Sequence, residues 1–244
     1  MKIAVISDIH SNLAALRAVI DDAARTGATA FWCLGDIVGY GPDPHECLAL
    51  VRERATLCLR GNHDLGAIGV VPLEEFNPYA AAANAWTGRV LLDEERAFLR
   101  GLPSMLTWED VTLAHASPRE PVWEYVLSAT VAMASFDHFQ TRLCFVGHSH
   151  VPFICPEPAS MRGCAFLQFP EQEPVDLGER RLILNPGSVG QPRDGDPRAS
   201  YLLYDRDADA ARLRRVAYDI AETQRRMGEA GLPRNLADRL AHGR

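Results

Sequence analysis

The 244-residue chain has almost no lysine. Of its 25 basic residues 24 are arginine, and Lys2 is the single lysine. The sequence therefore offers no candidate for a Schiff-base lysine, a P-loop lysine or the ATP-binding lysine of a kinase. The six cysteines form no C-x-x-C pair, and no G-x-S-x-G motif occurs. These absences weigh against a structural zinc site, a dithiol redox site and a serine hydrolase.

Long apolar runs are also missing. The first apolar segment, residues 3–6, stops at Ser7 and Asp8. It is shorter than the apolar core of a signal peptide and far shorter than the roughly 20 residues of a membrane span. We therefore expect a cytoplasmic protein that does not enter a membrane and whose cysteines are reduced and mostly buried.

The overall composition is typical of a globular protein with a sizeable core. Hydrophobic residues make up 47% of the chain and charged residues 23%, and the length predicts a single domain that spans residues 1–244. The 32 acidic and 25 basic residues give a net charge of −7, which weighs against extended nucleic-acid binding. The oligomeric state, including a homo-oligomer, is left open.

The hydrophobic pattern predicts an α/β opening and a strand-rich later part. Strands are predicted at 2–7, 30–34, 56–60, 104–108, 110–114, 142–146, 164–169, 181–184, 200–205 and 212–218. Helices are predicted between Asn12 and Gly27, at 44–54, as two segments broken near Gly88 within 78–101, at 128–140, and from Asp219 to Ala230. This order favours sheets that pack together with helices outside.

Five short motifs place polar side chains just past a predicted strand. They are Asp8-Ile9-His10, Gly35-Asp36, Gly61-Asn62-His63-Asp64, His115, and Gly147-His148-Ser149-His150. Ligands of open α/β sheets collect at the carboxyl ends of strands. Alternate residues of an extended segment point to one side, so Asp8 with His10, and His148 with His150, are each expected to converge. The three glycines suit tight turns.

The side chains in these motifs form a coherent set of metal ligands. Carboxylate, amide oxygen and imidazole suit divalent manganese, iron, zinc, cobalt or nickel. Five of the eight histidines lie in the motifs. One such motif alone would be weak, because an isolated histidine is usually a satisfied polar residue. Five in succession predict a metal site.

The order of the motifs resembles the calcineurin-like metallophosphoesterase superfamily, whose pattern runs D-x-H, G-D, G-N-H-[DE], H, G-H-x-H. The resemblance extends from Asp8 to about Ser188 and is greatest for small stand-alone prokaryotic phosphodiesterases. It implies an α/β (α+β) four-layer sandwich, in which two mixed β-sheets pack face to face with helices outside. It also implies a centre of two divalent metal ions that hydrolyses phosphate esters by direct attack of a metal-bridging hydroxide.

The resemblance also assigns roles to the motif residues. One metal would be bound by Asp8, His10, Asp36 and His150, and the other by Asp36, Asn62, His115 and His148. Asp36 would bridge the two ions and, with Asn62 and His63, belong to the catalytic set. His63 would meet the scissile phosphate or its leaving group without binding metal.

The segment after Asp36 departs from the superfamily's protein phosphatases. They carry G-D-x-x-D-R-G, whereas Gly39 and Tyr40 replace the aspartate and arginine here. Arg119 and Arg193 are therefore candidate phosphate-binding residues, since a guanidinium matches phosphate geometry. Each arginine could equally be an exposed surface residue.

Other residues near the motifs carry weaker hypotheses. Asn12 could contact substrate or cap a helix. Trp123 and Tyr125 could stack on a base or close the core. Residues 65–101 could cap the cleft or form outer helices of the sandwich.

The sequence therefore predicts a phosphodiesterase that acts on a small phosphate ester, with nucleotides among the candidates. A phosphomonoesterase or nucleotide pyrophosphohydrolase with the same metals is an alternative. A non-catalytic scaffold or regulatory metal-binding protein is another, as in a retromer subunit of this fold whose metal site is degraded. The complete set of ligand residues favours an enzyme.

Overall fold

The computed structural model describes residues 1–158, 163–170 and 172–244, which contain two β-sheets and eight α-helices. The strands are β1 (Lys2–Ile6), β2 (Ala30–Cys33), β3 (Ala55–Cys58), β4 (Met105–Trp108), β5 (Val111–Ala114), β6 (Leu143–Val146), β7 (Phe153–Pro156), β8 (Pro174–Asp176), β9 (Leu182–Asn185), β10 (Ala199–Asp205) and β11 (Ala210–Val216). The helices are α1 (Leu13–Arg25), α2 (Pro44–Arg54), α3 (Asn62–Ala67), α4 (Pro78–Val90), α5 (Asp93–Gly101), α6 (Ala129–Phe136), α7 (Ile220–Glu229) and α8 (Arg234–Asp238).

Both sheets are mixed. The first has six strands in the order β3-β2-β1-β10-β11-β8, in which β1, β2 and β3 are parallel and the rest antiparallel. The second has five strands in the order β4-β5-β6-β9-β7, in which β5, β6 and β9 are parallel. The predicted fold class, two mixed sheets with helices, is confirmed.

The layers follow from the alternation of side chains along the strands. In β1, Ile3 and Val5 lie in the core between the sheets, together with Phe145 of the second sheet. Ala4 and Ile6 face the opposite side and pack with helices α1 and α2. Because successive strand residues point to opposite faces, a fully buried strand supplies two cores at once.

Helices also cover the outer face of the second sheet and the carboxyl end of the chain. Phe136 of α6 packs with Val146 and Phe153. The last two helices, α7 and α8, form a separate cluster with Tyr40 and α4. Among the described residues, no helix is long and apolar enough to cross a membrane. All six cysteines are free.

Several predicted elements differ from the structure. The predicted strand at 164–169 is wrong: only Leu167 forms a bridge, with Ile154. Strands β7 and β8 and helices α3 and α8 went unpredicted. Strand β8 has only three residues and begins with a proline at the sheet edge, and helices of five or six residues are too short to show a hydrophobic period.

The two predicted helices within 78–101 are present as α4 and α5, and the break between them falls at residues 91–92, three residues after Gly88. Helix α4 runs through Gly88 to Val90. A Cβ at Gly88 would lie 2.8 Å from the carbonyl oxygen of Ala67. The glycine is thus required by the close approach of α3 and α4, not by a change in chain direction.

We expect Gly190→Ala to destabilise the fold. A Cβ at Gly190 would lie 1.8 Å from the Ile9 carbonyl oxygen, so the backbone must shift. The free energy of unfolding should fall by about 2–3 kcal/mol. Gly228→Ala is the control, because it lies in α7 with open space around it and should stabilise by about 0.5–1 kcal/mol. Urea denaturation measures both, and equal stability of the two variants would contradict the packing argument.

Candidate metal centre

Side chains from all five motifs meet where parallel strands of both sheets end. Strands β1, β2 and β3 of the first sheet and β5 and β6 of the second each lead into one motif. Three groups have ligand atoms within 4.8 Å of one another: Asp8, His10 and His150; Asp36, His115 and His148; and His10, Asp36 and His63. Every one of these residues is buried.

The first group gathers around two facing imidazoles. The Nε2 atoms of His10 and His150 are 3.1 Å apart. His150 Nε2 lies 3.3 Å from Asp8 Oδ1, and His10 Nε2 lies 3.7 Å from Asp36 Oδ2. One carboxylate oxygen and two ring nitrogens thus converge, with a second carboxylate beside them.

The second group adjoins the first, because its Asp36 also faces His10. His115 Nε2 lies 3.5 Å from Asp36 Oδ2 and 3.3 Å from Asn62 Oδ1. The same Asp36 oxygen therefore lies close to a histidine of each group. His148 and His150 reach the same centre but fall into different groups within it. The predicted convergence assumed an extended segment, whereas both residues adopt left-handed backbone conformations.

The hydrogen bonds of the rings fix which nitrogen is available to a metal. Three histidines donate Nδ1–H to backbone carbonyl oxygens: His10 to Val38 at 3.2 Å, His115 to Leu34 at 2.9 Å and His150 to Gln191 at 2.6 Å. His148 instead donates Nε2–H to the Trp123 carbonyl at 3.2 Å, which leaves Nδ1. Such outer contacts orient imidazole ligands in metal sites.

These contacts fit a bound cation. With both Nδ1 atoms donating, His10 and His150 direct Nε2 lone pairs at each other, an arrangement that repels unless a cation lies between them. Asp8 Oδ1 and Asp36 Oδ2 are buried without a hydrogen-bond partner among the residues that the structure describes. Because buried polar atoms are normally satisfied, the residues present fit a divalent metal site.

Burial sets the protonation of the same groups. It raises the pKa of Asp8 to about 7. Burial and the charge of Asp64 raise the pKa of Asp36 well above its ordinary value. Burial also lowers the pKa values of His10, His148 and His150. The imidazoles are therefore neutral and ready to bind metal, whereas the carboxylates need a cation to stay ionised near neutral pH.

Five of the predicted ligands have left-handed backbone conformations. Their φ angles lie between 50° and 63°, and they are Asp8, His10, Asp36, His148 and His150. Each such non-glycine residue costs about 1–2 kcal/mol. Strain of this kind persists where surrounding contacts overdetermine it, and it concentrates at functional sites.

The segment Asn185-Pro186-Gly187-Ser188 braces two of the strained loops. Asn185 Nδ2 donates to the Gly147 carbonyl at 2.8 Å. Ser188 Oγ donates to the Asp8 carbonyl at 2.8 Å. The resemblance extends to Ser188, but the sequence by itself assigned this segment no role. Its contacts join residues that are far apart in the chain.

Asp64 and the motif glycines shape the loops from within. Asp64 accepts hydrogen bonds from the backbone N–H groups of Val38, at 3.0 Å, and Gly61, at 2.9 Å. A Cβ at Gly61 would lie 2.1 Å from Asp36 Oδ1, and one at Gly147 would lie 2.0 Å from the Ser7 hydroxyl. Of the three motif glycines only Gly35 has a positive φ, so close packing, rather than a special turn, requires the other two.

His63 lies in a tightly packed aromatic setting beside the centre. Its ring lies 4.3 Å from that of Tyr40 and 5.1 Å from that of Phe76, between ring centroids. Its Nδ1 is 3.1 Å from Asn84 Oδ1. Burial lowers the pKa of His63 to about 3, so the ring is neutral unless a bound anion restores its proton. Sequence reasoning missed Asn84, since nothing in the local pattern of α4 distinguishes it.

The structure separates the candidate substrate residues. Asn12 Oδ1 accepts from Ala15 N–H and the Thr223 hydroxyl, and its Nδ2 donates to the Gly190 carbonyl. This favours the helix-capping interpretation. Arg119 is paired with Glu124 at the surface, with Nε 3.0 Å from Oε2.

Arg193 lies near the metal-ligand groups. Its backbone N–H donates to the His150 carbonyl, and its guanidinium carbon lies 5.9 Å from the centroid of the Tyr40 ring. Nη2 donates to Gln191 Oε1, and Nε is buried without a hydrogen-bond partner among the described residues. The charge of Arg193 partly offsets the rise that burial causes in the pKa values of Asp8 and Asp36.

The two candidate stacking residues differ in exposure. Trp123 packs on Phe76, at 5.0 Å between ring centroids, and its backbone carbonyl accepts the hydrogen bond from His148. Tyr125 stacks on the His148 ring at 3.9 Å and 19° while remaining 42% exposed. Stacking on a base stays a prediction, and the exposed Tyr125 is the better placed of the two residues for it. The segment 65–101 contacts His63 through Phe76 and Asn84.

Comparison with known proteins places this site among phosphoesterases. Residues 1–209 match the calcineurin-like phosphoesterase superfamily domain. The chain is 40% identical to an uncharacterized protein from Methanocaldococcus jannaschii over 250 residues, which cover 99% of this chain and 98% of that protein. It is 47% identical to a metallophosphoesterase from Sphaerobacter thermophilus, with a TM-score of 0.92 over 100% of this chain and 99% of that one. A hypothetical protein from Pyrococcus horikoshii OT3 shares the fold, with 22% identity and a TM-score of 0.81 over 100% and 98% of the two chains.

Asp36→Asn should lower metal content and abolish hydrolysis while leaving the fold intact. The amide keeps the shape but removes the charge that both ligand groups share. The loss in turnover should exceed the 10–100-fold that is typical of outer-contact mutations. Elemental analysis, circular dichroism and turnover of an aryl phosphodiester measure the three effects. Near-normal turnover with metal still bound would contradict a shared role for Asp36.

Metal affinity should rise with pH up to about 7. Because the pKa of Asp8 is raised to about 7, a proton must leave this carboxyl before a cation binds. Each pH unit below 7 should therefore weaken binding about tenfold per proton displaced. Calorimetric titration of Mn²⁺ in two buffers counts the protons released at pH 6. Asp8→Asn should bind more weakly and release fewer protons, and equal proton release would contradict this assignment.

Proposed function

We propose a function from the premise that the chain belongs to the calcineurin-like phosphoesterase superfamily. Membership supports a metal-dependent phosphoric ester hydrolase. Our proposal is narrower: the protein hydrolyses phosphodiesters at a centre of two divalent metal ions.

The sharing of Asp36 between two ligand groups carries the proposal. Its Oδ2 lies 3.7 Å from His10 Nε2 and 3.5 Å from His115 Nε2. A carboxylate flanked on both sides by imidazoles suits a bridging ligand better than a ligand of one ion. Asp8 and His150 would complete one site, and Asn62 and His148 the other.

The chemistry divides between the cofactor and the chain. When bound, two divalent ions supply a nucleophile at neutral pH and offset charge on the phosphoryl oxygens. The chain's buried carboxylates and imidazoles would hold those ions. His63 would meet the phosphate or the departing oxygen, where proton donation is typically worth 10²–10⁴-fold. Its low pKa means that this proton must be restored by the charge of the bound substrate.

Arg193 would bind the phosphate from the other side. Its guanidinium Nε–H is buried without a hydrogen-bond partner among the described residues. Its positive charge favours the ionised forms of Asp8 and Asp36. The chain has Tyr40 at the position of the arginine in G-D-x-x-D-R-G, and Gly39 at the position of the aspartate. With one guanidinium, that of Arg193, the site should suit the single charge of a diester better than the dianion of a monoester.

Two alternatives use the same residues. A phosphomonoesterase or nucleotide pyrophosphohydrolase would need the same metals but a stronger anion-binding group. A scaffold or regulatory metal-binding protein would need no catalytic residues. The buried His63 belongs to neither the Asp8 group nor the His115 group, although its ring also lies near His10 and Asp36. Its anchoring by Asn84 favours catalysis over that alternative.

The substrate preference is tested by a panel of metals and substrates. Metal-stripped protein is supplied with Mn²⁺, Fe²⁺, Zn²⁺, Co²⁺ or Ni²⁺ and assayed on bis(4-nitrophenyl) phosphate, 4-nitrophenyl phosphate, cyclic nucleotides and dinucleoside polyphosphates. We expect kcat/KM for the aryl diester to exceed that for the monoester at least about tenfold, a difference of about 1.4 kcal/mol.

The same panel separates the alternatives. A clear preference for the monoester would contradict the diester assignment. Tight metal binding without hydrolysis of any substrate would support the non-catalytic alternative. Metal-stripped protein and the Asp36→Asn variant are the controls for contaminating phosphatases.

A further inference from the structure

We infer that Asn84 is a positioning residue, which accepts a hydrogen bond from His63 Nδ1–H and thereby presents Nε2 to the substrate. The inference rests on the proposed function, because it assigns a partner to the histidine of that same site. Because Asn84 lies on helix α4, the segment 65–101 would then help to orient His63.

The contact between the two side chains is buried and within hydrogen-bond distance. Asn84 is 1% exposed and His63 4%. Asn84 Oδ1 lies 3.1 Å from His63 Nδ1. The backbone N–H of His63 donates to Asp36 Oδ1 at 2.9 Å, so the residue is tied to the ligand groups at one end and to α4 at the other.

Two glycines make room for this pair. A Cβ at Gly39 would lie 2.6 Å from His63 Nδ1 and 2.9 Å from Asn84 Oδ1. A Cβ at Gly66 would lie 2.9 Å from Asn84 Nδ2. A side chain at Gly39 would therefore enter the space that this pair occupies.

The chemistry of the amide decides what His63 can do. An amide oxygen at Nδ1 accepts from the neutral ring and from the imidazolium alike, so His63 keeps its orientation in either form. An amide –NH₂ at the same place would tolerate only the neutral ring with its proton on Nε2. The structure places the oxygen toward His63 and the Nδ2 atom toward Gly66. Asn84 therefore supplies the orienting contact for His63 from another part of the chain.

A purely structural role for Asn84 is the competing interpretation. Thr87, one turn further along α4, provides the matched control. Its side chain is fully buried, and its hydroxyl has no hydrogen-bond partner among the described residues. Thr87→Val thus removes a buried polar atom from the same helix face without touching His63.

The first experiment measures the tautomer of His63 and does not depend on catalysis. In metal-free protein at pH 8, ring ¹⁵N chemical shifts report which nitrogen carries the proton, with His63→Gln used to assign the signal. We expect an Nδ1–H ring in the wild type and in Asn84→Asp, and a loss of that preference in Asn84→Leu. An Nε2–H ring in the wild type would overturn the inference.

The second experiment is a double-mutant cycle on bis(4-nitrophenyl) phosphate. Asn84→Leu should lower kcat on the order of 10–100-fold with metal content retained, and Asn84→Asp should recover most of that loss. Because Asn84 acts through His63, the double variant with His63→Gln should lose no more than His63→Gln alone. Thr87→Val should behave as the wild type. Additive losses, or equal losses in Asn84→Leu and Thr87→Val, would overturn the inference.

A second pair of variants covers the case in which Asn84→Leu does not fold. Gly39→Ala should lower kcat at least tenfold, because its Cβ enters the pair. Gly27→Ala, with a similar positive φ and open space around it, should not. Equal activity of these two variants would count against the inference. A wild type that hydrolyses no phosphate ester would remove the proposed function but leave the tautomer result standing.

Discussion

Two carboxylates buried beside neutral imidazoles form the constraint on which the rest of the site depends. Asp8 and Asp36 each keep one oxygen without a protein hydrogen bond among the described residues. Ionising them in this pocket is unfavourable unless a cation is present, since a buried charge must be compensated. Metal binding, protonation and folding are therefore coupled at one point. The arrangement becomes favourable only when a bound cation compensates the two buried carboxylates.

The loops that carry the ligands are held by contacts from distant parts of the chain. Left-handed backbone conformations at Asp8 and His148 would relax in an isolated loop. Ser188 and Asn185 tie down the two loops through backbone carbonyls. Glycines at 61, 147 and 190 let the loops approach so closely that a single methyl group would collide. The geometry of the centre is thus a property of the assembled sheets.

His63 is supported by residues from separate parts of the chain. The motif that carries it is local, but its orienting partner comes from α4, twenty-one residues later. An amide there holds the ring without adding a negative charge beside the two carboxylates. Phe76 and Tyr40 close the sides of the ring. The Asn84 hydrogen bond thus sets the orientation of the ring, whereas burial lowers its pKa.

The sequence alone determined the chemical inventory and the main elements of the fold. Strand ends and the five motifs predicted the ligand residues, because the side-chain period and the position of a ligand after a strand are local properties. Tertiary structure alone decided which histidines share a group, which amide lies beside His63, and that Arg193, rather than Arg119, lies near the ligand groups. It also decided that Gly88 serves packing and that residues 164–169 form no strand. These outcomes depend on contacts between residues far apart in the chain, and hydrophobic periodicity and local motifs carry no information about such contacts.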